Sequence, residues 1–100
     1  MNVVYMLRCG DGSLYTGWTN DLPHRLAMHR SGRGGKYTRA HQPVELAYFE
    51  AQPTKRDAMR RETEIKALPR KEKLALCERF EQDGSDGQGL PSEKTETSLS

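Results

Sequence analysis

Two short apolar runs separated by a tight-turn sequence stand at the start of this chain, and they leave few ways to begin a fold. Val3-Val4-Tyr5-Met6-Leu7 is a β-branched and aromatic run that reads as a buried strand. Asp11-Gly12, inside Cys9-Gly10-Asp11-Gly12-Ser13, is a hairpin signal. Ser13-Leu14-Tyr15-Thr16-Gly17 is then the return strand, and Gly17 with Thr19-Asn20-Asp21 marks its exit. An antiparallel hairpin is a marginal object alone, so the rest of the chain must cover it.

The next segments supply that cover. Asp21 is a natural N-cap and Pro23 is tolerated in a first helical turn, so a helix runs to about Arg30, ended by Ser31-Gly32. Residues 32–39, Gly-Arg-Gly-Gly-Lys-Tyr-Thr-Arg, read as a flexible basic loop. Val44–Glu50 alternates well enough for a third strand. Thr54 with Asp57 resembles a capping box and opens a helix to about Leu68. Pro69 breaks it and opens a last helix through about Phe80. The sum is β-β-α-β-α-α, a small antiparallel sheet with helices on it, of the α+β class.

One hundred residues make one domain. Residues 81–100 carry no aromatic and only Leu90 and Leu99 as large apolar side chains, too little to offset chain entropy. The expectation is a folded domain over 1–80 and a disordered acidic tail over 81–100. The formal charge of +2 divides accordingly: fifteen Lys and Arg against nine Asp and Glu in 1–80 give +6, and one Lys against five acids in 81–100 gives −4. A basic globule favours a polyanion, most often nucleic acid, although a plain solvated surface carries the same charge. Cys9 and Cys77 are too few and too far apart for a disulfide framework or a zinc site, and unpaired thiols suit a reducing cytosol. Met1-Asn2 leads directly into the first strand with no signal core, and no apolar stretch is long enough to span a bilayer. A cytoplasmic protein with no membrane partner is expected.

Several side chains sit where packing alone does not explain them. Leu22, Arg25, Leu26 and His29 fall at i, i+3, i+4 and i+7, a core-facing helical stripe. An arginine and a histidine there are costly without partners, so they are placed where the stripe meets a cleft at the edge of the sheet. Arg25 can hold a phosphate with two donors, and His29 can bond a tyrosine hydroxyl or a phosphate. The plainer readings are an Arg25 ion pair with Asp21 and a structural histidine. Ala58, Glu62 and Ile65, with Met59 three before Glu62, place Glu62 on the apolar stripe of its helix. Glu64 is turned roughly 200° away, toward Arg60 or Arg61. A divalent ion held by one carboxylate, waters and a substrate phosphate accounts for Glu62, and an ion pair with Arg25 or Lys66 is the alternative. Tyr5 and Tyr15, on paired strands, can share one face. Two phenols, a cation, an imidazole and one carboxylate are parts for cutting a phosphodiester with a single metal ion. Arg33, Lys36 and Arg39 interleaved with Tyr37 suit single-stranded nucleic acid, with Trp18 as a second stacking platform. Arg70, Lys71 and Lys73 read as an ordinary solvated face.

Taken in order, these residues resemble the GIY-YIG endonuclease superfamily. Its first signature is present as Val3-Val4-Tyr5, with valines in place of Gly-Ile, and its second as Tyr15-Thr16-Gly17. Asp21-Leu22-Pro23-His24-Arg25-Leu26 is similar to the Asn-Leu-x-x-Arg-Leu of the N-terminal nuclease domain of the excision-repair incision protein, which has lysine where this chain has Trp18. His29 and residues 31–39 look like the small stand-alone bacterial subfamily, and Glu62 matches the family's metal-binding glutamate. The resemblance covers residues 2 to about 78. It implies a three-stranded antiparallel sheet flanked by helices, Mg²⁺ or Mn²⁺ at Glu62, Arg25 on the scissile phosphate, and Tyr5 or Tyr15 helping to activate the attacking water.

The expected function is therefore metal-dependent cleavage of DNA, single-stranded or branched among the candidates, in repair, recombination or uptake, with RNA left open as a substrate. Members of the superfamily usually gain target specificity from attached DNA-binding domains, so this chain is expected to be poorly specific alone or to need a protein partner. Two alternatives stand beside it: a nucleic-acid-binding module with negligible turnover, and a protein-interaction module whose acidic tail meets a basic partner. A binder has no need of a negative charge in a phosphate cleft, which favours the nuclease.

Overall fold

In the computed structural model, which describes residues 1–84, the chain forms β1 (Asn2–Arg8), β2 (Leu14–Thr19), α1 (Leu22–Arg30), α2 (Lys36–Ala40), β3 (Glu45–Gln52), α3 (Lys55–Lys66) and α4 (Arg70–Gly84). The three strands make one antiparallel sheet in the order β2-β1-β3. This is the α+β architecture expected, with the short helix α2 in addition.

The central place of β1 explains its composition. A strand flanked on both sides and covered on both faces must be apolar at every position, and Val3 through Leu7 are all buried. Alternate residues feed two cores. Val3, Tyr5 and Leu7 face α1, with Leu22, Leu26, Cys9 and Val44. Val4 and Met6 face α3 and α4, with Ala47, Ala58, Ile65 and Cys77. Both cysteines are free and buried, one in each core.

The register sets which side chains share a face, because cross-strand partners point the same way. Tyr5 pairs with Gly17, Leu7 with Tyr15, and Val4 with Trp18. Tyr5 and Tyr15 therefore lie on the α1 face, and Thr16 and Trp18 on the α3 face. The hairpin closes through Gly12 at φ 87°, with Cys9 N donating to Ser13 O at 2.9 Å.

The helix starts form as their sequences predict. Asp21 accepts from His24 N at 3.3 Å, and Thr54 accepts from Asp57 N at 3.0 Å. Asp57 does not reach back to the backbone as in a full capping box; its carboxylate accepts from the Thr54 hydroxyl at 3.0 Å. On α3, Ala58 and Ile65 are fully buried, whereas Met59 is 46% exposed and does not belong to the buried stripe. α3 ends at Lys66, slightly before the predicted Leu68, and α4 runs on to Gly84. The expected tail thus begins as helix, and residues 85–100 lie outside the described residues.

Residues 32–39 are not the flexible loop that their glycines suggest. Lys36–Ala40 form α2, which is tied down on two sides. Toward the hairpin, the Tyr37 hydroxyl donates to Ser13 Oγ at 2.5 Å, Gly10 N donates to His41 O at 2.8 Å, and His41 Nε2 lies 3.5 Å from Asp11 Oδ2. Toward α1, Gln42 Nε2 donates to both His29 O (2.8 Å) and Thr38 O (2.7 Å). These contacts come from distant segments, so no local pattern announces them. No helix among the described residues is long and apolar enough to cross a membrane.

Candidate active site

The α1 face of the hairpin gathers Tyr15, Arg25 and His29 around one phenol. Gly17 opposes Tyr5 and has no side chain, so the Tyr5 ring lies across it: a Cβ built there would stand 2.7 Å from the Tyr5 hydroxyl oxygen. That hydroxyl is 2.9 Å from His29 Nε2, and His29 Nδ1 is 2.8 Å from Thr38 Oγ1. The imidazole is thus held at both nitrogens and is fully buried. Gly34 passes against it so closely that a Cβ would stand 2.2 Å from Nδ1. Tyr15 meets His29 edge-on with ring centroids 5.3 Å apart, and lies 6.5 Å from Tyr5.

Arg25 sits one helical turn before His29 and is half-buried. One of its terminal nitrogens donates to Gly34 O at 2.9 Å, and the guanidinium also acts on the Tyr5 hydroxyl as a hydrogen-bond donor. Asp21 is not its partner. Glu62 comes from α3, on the opposite side of the sheet, with its side chain 21% exposed and 3.3 Å from Lys66 Nζ. It is near enough to register at Tyr5. Burial is the main force that pushes the Tyr5 hydroxyl up to about 12; Tyr15 and Glu62 add to the rise, and the Arg25 guanidinium opposes it. His29 moves the other way, down to about 4, first because burial disfavours its cation and then because Arg25 repels it. At neutral pH the pair is a neutral phenol hydrogen-bonded to a neutral imidazole.

The five residues singled out as catalytic candidates thus converge: Tyr5, Tyr15, Arg25 and His29 touch or nearly touch, and Glu62 lies within electrostatic reach. Among the nucleic-acid-binding candidates, Tyr37 adjoins them, its ring 6.1 Å from Tyr15 and nearly parallel. Arg33, Lys36 and Arg39 are exposed on the α1–α2 side. Trp18 stands apart, half-buried on the α3 face with Lys55 Nζ 5.8 Å from its ring. Glu64 pairs with Arg61 at 3.3 Å, away from the site, as the helical geometry predicts.

Sequence reasoning missed Thr38 and Gln42, which orient His29 and its surroundings, and it took Gly17 and Gly34 for punctuation where they make room. The Gly-Gly pair at 34–35 was the available signal, since a glycine marks close approach as well as flexibility.

Glu62 is the candidate metal ligand. No group of three or more His, Cys, Asp or Glu that could hold an ion occurs among the described residues. One carboxylate still fits Mg²⁺ or Mn²⁺, since such ions keep several waters and take substrate phosphate oxygens as further ligands. Lys66 Nζ stands 3.3 Å from the same carboxylate.

The chain is similar to known proteins over most of its length. The family profile described as "GIY-YIG catalytic domain" matches residues 1–75. UPF0213 protein OB0043 of Oceanobacillus iheyensis is 55% identical over 80 residues, covering 80% of this chain and 93% of that protein. UPF0213 protein CPE1444 of Clostridium perfringens is 55% identical over 76 residues, covering 76% and 82%. A solution NMR structure of UPF0213 protein BH0048 from Bacillus halodurans matches with 42% identity over all of both chains, at a TM-score of 0.47. The chain belongs to the GIY-YIG catalytic domain family, a nuclease-type family, and to its small stand-alone branch with the UPF0213 proteins.

Proposed function

We propose that this protein is a divalent-metal-dependent endonuclease that hydrolyses phosphodiester bonds in DNA, in repair, recombination or uptake. The observation that carries the reading is the gathering of Tyr15, Arg25 and His29 at the Tyr5 hydroxyl, with His29 Nε2 at 2.9 Å.

Each residue has a distinct task. The Tyr5 phenol, un-ionised at neutral pH, takes a proton from the attacking water as its own hydroxyl proton moves to His29 Nε2. His29 is neutral, and in the tautomer whose Nδ1–H donates to Thr38 Oγ1 its Nε2 is the nitrogen left to accept. Arg25, beside the Tyr5 hydroxyl, directs its guanidinium to the scissile phosphate, where charge develops as the water attacks. Tyr15 walls the cleft beside His29. Glu62 would hold Mg²⁺ or Mn²⁺, which would supply positive charge to the phosphoryl oxygens and acidify water. Arg33, Lys36, Tyr37 and Arg39 line the approach along α2 and take the backbone of the strand. Trp18, on the other face, has no part in that path.

The test is cleavage of labelled single-stranded, double-stranded and branched DNA with Mg²⁺ or Mn²⁺, wild type beside Glu62→Ala. Metal-dependent cutting that drops at least ~100-fold in the variant supports the reading. Equal cutting in both misplaces the site. Binding without cutting in either favours a nucleic-acid-binding module, to which the Lys66–Glu62 ion pair lends support by neutralising the carboxylate without a metal.

A further inference from the structure

Lys73, expected on a solvated helix face, is half-buried in a groove of about 370 Å³ lined by Leu14, Tyr15, Thr16, Tyr37, Lys66 and Lys73. The geometry points to a subsite here for one unpaired nucleotide next to the scissile phosphate, with its phosphate on Lys73 and Lys66 and its base against Tyr37. The inference rests on the nuclease reading above and names the substrate feature that the site selects.

Continuity is the first argument. Tyr15 is a wall of both spaces: its ring meets His29 on the catalytic side and lines the groove on the other. A strand whose phosphate lies at Arg25 and Tyr5 has its neighbouring nucleotide within reach of the groove. Size is the second. The groove lies at the lower end of the roughly 300–1,000 Å³ range of small-molecule sites, so it takes one nucleotide and excludes a duplex.

Chemistry is the third. The lining contributes two ammonium groups and no carboxylate, and among the described residues no carboxylate pairs with Lys73. Lys66 is shared with Glu62, which ties the subsite to the catalytic carboxylate. Thr16 lies in the same wall, and its hydroxyl is buried with no hydrogen-bond partner among the described residues; a sugar or phosphate oxygen would satisfy it.

The groove is also built in advance. His41 backs the Tyr37 ring at 4.1 Å and Ser13 holds its hydroxyl, so the aromatic wall costs little to order. Arg70 donates to Gly12 O at 3.0 Å and fixes the start of α4, and Lys73 with it, against the tip of the hairpin. Aromatic and cationic groups held side by side suit an unstacked base and its phosphate.

The experiment measures binding of a fluorescent duplex, blunt or with a single-stranded overhang, by anisotropy in EDTA across a salt series. The wild type should prefer the overhang. Lys73→Gln should abolish that preference and lower the salt slope by about 0.7, one single-strand phosphate contact. Lys73→Arg should restore it, and Lys71→Gln, which removes the same charge from an exposed position outside the groove, should leave it in place. Equal wild-type binding to both duplexes, or indistinguishable results for Lys73→Gln and Lys71→Gln, overturns the subsite. If the wild type nevertheless cuts DNA with Mg²⁺, the nuclease reading survives that loss. A wild type that binds neither duplex and cuts nothing sinks both.

Discussion

Tyr5 reaches His29 only because position 17 carries no side chain. A methyl group at Gly17 would stand 2.7 Å from the phenol oxygen and 2.9 Å from its ring carbon, inside any real contact, so the ring must move. Gly17→Ala should lower DNA cleavage about 100-fold, the lower end of what a displaced proton-transfer group costs. The overpacking should cost about 1–3 kcal/mol of stability. Cleavage kinetics beside a urea titration separate the two effects, and full activity in a folded variant would remove Tyr5 from the reaction. At this scale the sequence was partly legible. Arg25 and His29 stood out because they interrupt an apolar helical stripe, and Glu62 separated from Glu64 by helical angle alone. Thr38 and Gln42 did not stand out, because what matters about them is a bond to a residue nine or thirteen positions away.

Among the elements, α3 has the most legible sequence. Its N-cap Thr54, its buried Ala58 and Ile65 and the half-buried Glu62 follow from periodicity and capping rules. Thr54→Ala removes the acceptor for Asp57 N and should cost about 1 kcal/mol. Chemical denaturation would measure this, and the folded enzyme should cleave as before, since the cap lies outside the site. A second tie holds α3 to the sheet: Arg61 donates to Glu50 Oε2 at 2.8 Å, and Tyr48 and Gln52 donate to the same carboxylate. Burial would raise Glu50, but these hydrogen bonds outweigh it and hold it below the usual carboxylate range. α2 was illegible for a physical reason. Five residues after Gly-Gly, with no side-chain cap, have too little local preference to specify a helix. Its order comes from Ser13, Asp11 and His29, which only the folded chain brings near.

For the whole molecule, the buried neutral His29 sets a pH dependence of stability. Its folded value near 4 lies below its ordinary 6.5, so the unfolded chain binds the extra proton between those values. Stability is therefore full above about pH 6.5 and is lost as pH falls toward 4. Glu50 and Asp11, both held low, add their own losses at more acid pH. Thermal midpoints from pH 7 to 5 should fall for the wild type and run flatter for His29→Gln; parallel curves would mean that the imidazole is not neutral in the fold. The larger layout was open to reading: the order of strands and helices follows from apolar runs, turn residues and caps. The groove beside the hairpin was not, because Lys66 and Lys73 meet Tyr15 and Tyr37 only after four elements have packed.

The exposed link at Pro53 and Thr54, between β3 and α3, divides the chemistry of this small protein. Ahead of it stand both phenols, the imidazole and the guanidinium; behind it stand Glu62 and the two lysines of the groove. Neither half holds the whole set of groups on which the proposed reaction draws. On the function proposed above, a chain severed at this link is expected to cut only once the piece carrying the phenols and imidazole has rejoined the piece carrying Glu62. That natural seam makes the fold a starting point for a split enzyme, whose output reports that two attached partners have met.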